Sequence, residues 1–386
     1  MLMPEIDFAH DPVPNLHELL AELRQHGPVV PVCYHGKRTW LINSFELLGR
    51  AFADEVHFQS AATYLIHAEP AAGLTLQTMA GEEHRINRAL VSRPFFPKEV
   101  RAAIESLIEP TANELLDAIE GQEELDIIAA FSRPFPFRVI TRLLGIPLTD
   151  EKRLLDWALK LIDYPWDPEG AVRARHDFAD YLKPFLDERR VRPGDDVIST
   201  LATAEFEGQR LCDAEIYSFA RMIYPAGSDT AYKNGGSLLF AILSDPALRA
   251  QVLESAKARE GIVQEALRWE PPVALLPRIC SADITLGGVD IRAGEWTLFG
   301  ISAANSDPAV FPEPRRFDPA RTQRSLVFGN GVHFCLGSHL ARRELETAIK
   351  LVFERFPDMC LAPGRRVEIT GGVLRGPKEL WVRPYG

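Results

Sequence analysis

The chain has 386 residues, 46% of them apolar, and a formal net charge of −11. Such a composition supplies a large packed core and excludes a disordered chain. The acidic balance, with no basic arm to offset it, excludes nonspecific nucleic-acid binding. No apolar run approaches the ~18 residues of a membrane span. The opening MLMPEIDFAHDPVPN has no basic segment followed by an apolar one, so neither anchor nor signal peptide is expected. Cys33, Cys212, Cys280, Cys335 and Cys360 are scattered without CxxC spacing. A cytoplasmic protein without disulfides is therefore expected.

In chain order, NLHELLAELRQHG places Leu16, Leu19, Leu20 and Leu23 on one face with Gly27 beyond, a short helix. VVPVCYHGKRTWLI reads as a hairpin about His35-Gly36. Helical patterns dominate from about residue 80 to 270, among them EVRAAIESLIEPTANELLDAIEG and AEIYSFARMIYPAGSDTAYKNGGSLLFAILSDP. Pro225 lies inside the second of these; it removes an amide and presses on the carbonyl of Arg221, so a kink or widened turn is expected. SADITLGGVDIRAGEWTLFG predicts a second hairpin, about Gly287-Gly288. A proline-rich meander (NSDPAVFPEPRRFDPAR), one more helix and a short β tail ending in LWVRPY complete the chain. With no linker between halves, residues 1–386 read as a single, mainly α domain with small β-sheets.

Residues 328–337, FGNGVHFCLG, carry three glycines and a cysteine. Ala341, Leu345, Ala348, Val352 and Phe356 follow at helical spacing, so Cys335 stands just before a helix N-terminus. Free amides and the helix dipole there depress a thiol pKa. Gly331 and Gly337 would admit backbone close to the sulfur, and Gly329 would permit a tight turn. A zinc site from His333, Cys335 and His339 lacks a second pair at finger-like spacing. A catalytic Cys–His pair leaves the glycines, Phe328 and Phe334 without a purpose. A structural cysteine is the bland alternative, and a thiolate on haem iron the remaining one.

FGNGVHFCLGSHLARRE resembles the haem-binding loop of the cytochrome P450 family, F-G-x-G-x-H-x-C-x-G followed by x-x-L-A-R-x-E. The resemblance implies the family's fold, with haem b between a long central helix and the helix after Cys335. It implies Cys335 as axial iron ligand, Phe328 beside the sulfur and His333 at a haem propionate. Further segments match in family order. EALR offers Glu265 and Arg268, with Arg316 of PRRF at the place of the arginine that locks them. AGSDT offers Ala226, Gly227, Asp229 and Thr230 as the oxygen-activating segment. GEEHRINR offers His84 and Arg88, and LLPRIC offers Arg278, as propionate partners. ANSDP, FDPAR and VLRGPKELWV match remaining landmarks.

The implied activity is insertion of one oxygen atom from O2 into an apolar small molecule: a terpenoid, steroid, fatty acid or aromatic. The implied electron source is a separate ferredoxin with its NAD(P)H-dependent reductase, for which Arg342 and Arg343 offer a basic docking patch. An H2O2-driven peroxygenase and a noncatalytic haem-based ligand-binding protein are the alternatives, both disfavoured by the intact Asp229-Thr230 pair. By family position, segments 63–76 and 159–170 with Phe219, Val273, Leu275, Leu276, Val373 and Leu374 would line the substrate pocket.

Overall fold

The computed structural model describes residues 6–386. Leu16, Leu20 and Leu23 are buried on one side of the first helix, Leu16–Gln25, the apolar stripe that helical spacing produces. His35 and Gly36 take positive φ of 49° and 68°, so Val29–Tyr34 and Lys37–Ile42 close through a two-residue turn with Tyr34 opposite Lys37. Lys37–Ile42 pairs in parallel with Trp296–Gly300, which pairs antiparallel with Leu275–Ile279. Segments from both ends of the chain thus build one four-stranded sheet. The second expected hairpin is present as Ile284–Leu286 and Val289–Ile291.

The organising element is a helix of 32 residues, Asp213–Ser244. Phe219, Tyr224, Leu238 and Ile242 are fully buried on different sides of it, as befits a helix enclosed by protein. The largest apolar cluster surrounds it, and two smaller ones flank the sheet. Each fully buried Phe or Leu contributes about 2 kcal/mol. The helix packs closely on Pro134–Leu144. A side chain at Gly227 would meet Ile140 Cδ1 at 2.9 Å, so glycine there sets the approach of the two helices. Gly227 thus has a packing role besides the place in the oxygen-activating segment expected of it.

Pro225 corrects the second expectation for this helix, which runs through it as unbroken α-helix with no widened turn. Widened turns occur elsewhere, at Ile104–Ile108 and Ile128–Ser132, directly ahead of Pro110 and Pro134. There a wider turn accommodates the missing amide. Phe219 and Leu275 are also corrected: both are 0% exposed in packed core and line no pocket.

Glu265 and Arg268, on the helix Ala256–Trp269, form a two-pronged ion pair at 2.6 and 2.7 Å, each side chain 2% exposed. Arg268 also donates to Asn305 O, and Glu265 accepts the amide of Asp318. The third member is Arg321 of FDPAR, whose Nε lies 3.2 Å from Glu265. Arg316 is not that arginine: its side chain is exposed and pairs with Glu313. Asn305 Oδ1 then accepts the amide of Leu326, so the network ends two residues before the glycine loop begins at Phe328.

Candidate functional site

Cys335 lies between that loop and the helix Ser338–Arg355, of which Gly337 is the N-cap. Gly329 and Gly331 adopt φ of 74° and 77°, conformations that favour glycine. Gly329 makes the expected tight turn, its amide donating to Leu326 O. An added Cβ at Gly331 would meet Phe52 O at 3.0 Å, so glycine there lets the loop pack on the end of the helix Phe45–Ala53. The Cys335 amide donates to Phe328 O at 2.9 Å, closing the loop on itself. Arg342 stacks on the Phe328 ring at 4.5 Å, and Arg343 pairs with Glu346. Arg342 thus stands behind the sulfur, and Arg343 of the expected docking patch keeps about half of its side chain exposed.

The side chain of Cys335 is open to the interior of the site while protein surrounds it. Burial pushes its thiol pKa up, against the Gly337 amide and the charges of Arg88 and Arg342. This reverses the depressed pKa expected from the helix N-terminus alone. The sequence showed the dipole but not the depth, and desolvation of the anion outweighs one amide. A metal cation at the sulfur supplies the missing compensation, since a coordinating thiol is deprotonated outright.

Beside the sulfur the structure brings together His84, Arg88, Arg278 and His333. The imidazoles of His84 and His333 lie 4.3 Å apart, and the Nε2 of each is buried without a partner. Arg88 donates to Phe334 O, and Arg278 to Pro277 O over the ring of Tyr64. Among the described residues neither guanidinium has a carboxylate within ion-pair distance, and the acid nearest His333, Glu55, stands off at 3.7 Å. Burial and the charges of His84, Arg278 and Arg88 push the His333 pKa down to about 3. Two guanidiniums without an ion-pair partner and two imidazoles with an unpartnered Nε2, next to an inward-facing sulfur, fit a dianionic prosthetic group with a ligand-seeking metal. The residues present therefore fit haem.

On the central helix, Ala226 is exposed amid buried neighbours, and the Thr230 hydroxyl donates to its carbonyl at 3.0 Å. Asp229 is buried; Oδ1 accepts from Lys233 Nζ at 2.5 Å, and Oδ2 has no partner. Burial disfavours the Lys233 ammonium, yet Asp229 and Tyr232 outweigh it and hold its pKa above the ordinary value. Lys233 was missed in the sequence, although its position four residues after Asp229 is the spacing of a helical ion pair.

Val273, Leu276, Val373 and Leu374 are partly exposed, and a β-bridge joins Val273 to Leu374. A second unforeseen network anchors this wall. Glu270, 2% exposed, accepts from Arg375 Nε at 2.7 Å and from His17 Nε2 at 3.0 Å, while Arg375 also holds the carbonyls of Val13 and Pro14. Burial raises the Glu270 pKa, but His17, Arg375 and Arg315 outweigh it and bring it to about 2. Burial lowers the His17 pKa, against the opposing pull of Glu270. With its folded pKa below the ordinary 4.5, Glu270 contributes stability above that pH and loses it as pH falls toward 2. Glu270→Gln is expected to lower urea-unfolding stability by about 3 kcal/mol at neutral pH. That deficit should shrink on acidification through this window; a deficit independent of pH would refute the charge as its source.

The fold and these groups define a haem protein with a cysteine ligand. The profile described as "Cytochrome P450" matches residues 153–379. The chain is 33% identical to cyclomarin C epoxidase CymV of Salinispora arenicola, covering 92% of this chain and 91% of that protein. It is 31% identical to the cytochrome P450 monooxygenase PikC of Streptomyces venezuelae, covering 98% and 92%. The solved structure of the bacillaene polyketide synthase cytochrome P450 PksS of Bacillus subtilis 168 superposes with a TM-score of 0.89 at 29% identity, covering 97% of each chain. The chain belongs to the cytochrome P450 family. It is an oxygenase that binds haem b through a cysteine thiolate. No helix among the described residues is long and apolar enough to cross a membrane.

Proposed function

We propose that the protein hydroxylates or epoxidises an apolar small molecule, drawing electrons from a separate ferredoxin and its NAD(P)H-dependent reductase. The observation that carries this reading is the pairing of Thr230 and Asp229 on one turn of the central helix beside exposed Ala226. Held by Cys335, haem supplies the redox iron at which dioxygen is activated.

His84, Arg88, Arg278 and His333 hold the propionates and so fix the orientation of the group. The thiolate of Cys335 has the Gly337 amide and the charges of Arg88 and Arg342 for support. Phe328, with Arg342 over its face, shields the sulfur from the outside. At rest the Thr230 hydroxyl is committed to Ala226 O; rotation about χ1 releases its proton toward the reacting side. Asp229, held by Lys233 through one oxygen, keeps its other oxygen free to pass a proton on. The apolar side chains of Val273, Leu276, Val373 and Leu374 support an apolar substrate and limit water near the transfer. Similarity to an epoxidase of cyclomarin C and to an enzyme of polyketide biosynthesis supports a medium-sized natural product. Exposed Val332, on the outer side of the cysteine loop, supports approach of the electron donor there.

Thr230→Ala is expected to lower product formed per reductant consumed by about tenfold or more, with hydrogen peroxide rising in its place. Reductant consumption and the haem spectrum should stay close to wild type. Coupling at the wild-type level would refute the proton-delivery role.

A further inference from the structure

Away from the cysteine loop, a cavity of ≈ 520 Å³ is lined by Tyr34, His35, Lys37, Ile66, His67, Pro165, Ile279, Gly294 and Trp296. Its size is that of a small-molecule site. It shares two walls with the haem site. Ile279 is the neighbour of Arg278 on the strand Leu275–Ile279. Ile66 and His67 end the helix Ser60–His67, whose Thr63 hydroxyl accepts the Ile279 amide at 2.8 Å. Pro165 brings in the turn after the helix Glu151–Ile162. Trp166 of that turn donates to Ala9 O and packs 5.4 Å from the His35 ring.

Two features of the walls differ in kind. One is positive or hydrogen-bonding. Lys37 is exposed at the hairpin turn, His35 Nε2 is buried without a partner, and His67 packs edge-on against Trp296 at 4.7 Å. The charges that act on His67 besides its burial are His35 and Lys37, and both disfavour its protonation. Among the described residues the carboxylate acting on His35 is Asp7, which accepts the amides of Ala9, His35 and Gly36. The other feature is apolar. Ile66 lines the cavity and is a well exposed large hydrophobic residue, as is Trp166 next to the lining residue Pro165. Large apolar side chains left in water at a cavity suit an apolar ligand.

We propose that this cavity is an anion subsite at the mouth of the substrate path, and that the enzyme takes an organic acid. Lys37, His35 and His67 hold the carboxylate, and the apolar body of the ligand runs inward past the helix Ser60–His67 toward the central helix. The subsite rests on the oxygenase reading given above and narrows its substrate class. A charge-assisted contact to Lys37 with a hydrogen bond from one imidazole is worth about tenfold in affinity.

The test is a spin-state titration of the haem-loaded protein with straight-chain carboxylic acids and, in parallel, their methyl esters. The wild type is expected to bind the acid about tenfold more tightly than the matching ester. In Lys37→Gln combined with His67→Leu, that preference should fall below about twofold while the ester is unaffected. Equal binding of acid and ester by the wild type, no response to any acid, or a preference that survives the double substitution would each overturn the subsite. The CO-difference spectrum of the same preparation separates the two readings. Loss of the thiolate band there sinks the oxygenase reading itself, and a normal band without acid preference sinks the subsite alone.

Discussion

Cys335→His is expected to retain haem and to lose turnover by about a thousandfold, some 4 kcal/mol in the barrier. The cluster of His84, Arg88, Arg278 and His333, proposed to hold the propionates, does not involve the sulfur, so the group would keep its principal polar anchors. What disappears is the anionic ligand. The Gly337 amide and the charges of Arg88 and Arg342 face a thiolate in the bound state, and a neutral imidazole uses none of them. A neutral imidazole would also supply less electron density to the iron than a thiolate, and so support weaker oxygenase chemistry. The CO-difference spectrum of the reduced variant should lack the thiolate signature, and product formation with an electron-transfer pair should fall accordingly. Turnover within tenfold of wild type would remove Cys335 from the role given to it.

Arg268→Ala is expected to be the most destabilising single change in the chain, costing about 3–5 kcal/mol. Arg268 is among the largest fully buried side chains, and its removal leaves the Glu265 carboxylate buried with Arg321 as its one remaining ion-pair partner at 3.2 Å. It also strips a donor from Asn305 O, on the path to Leu326 and the cysteine loop. Of a typical total stability of about 5–15 kcal/mol, a loss of that size should appear as poor haem retention and a lowered urea midpoint. Arg321→Ala should cost about 2 kcal/mol, through the same carboxylate. Arg316→Ala, an exposed partner of Glu313, should fall within about 0.5 kcal/mol of wild type. If the Arg316 and Arg321 variants behaved alike, the assignment of Arg321 to the network would be wrong.

Much of this protein was legible in one dimension because its chemistry is carried by short contiguous segments. The run FGNGVHFCLG encloses the cysteine, and GEEHRINR holds His84 and Arg88, the two residues proposed for the propionates, four apart on one helix face. The first helix, both hairpins and the long central helix followed from apolar spacing and from turn residues suited to positive φ. These are local matters, decided by sterics within a few residues.

Other features waited for the tertiary structure because they depend on what crosses in space. PRRF and FDPAR each offer an arginine five residues apart; only the path of the meander makes Arg321 the one that meets Glu265. Gly227 lies within a motif about oxygen, yet the neighbour that requires a glycine there is Ile140 on another helix. Phe219 and Leu275 are apolar at plausible wall positions, but they are wholly buried, whereas Val273 and Leu374 are not. The pKa of Cys335 followed the same logic. The helix N-terminus next to it is local and readable, and the burial that outweighs it is a sum over distant segments. Short contiguous motifs thus pointed, through their resemblance to the cytochrome P450 family, to the ligand, the cofactor and the class of chemistry. Desolvation and long-range pairing decided which arginine locks the frame, which apolar residues are sealed in the core, and where Lys37, His35 and His67 come to line one cavity.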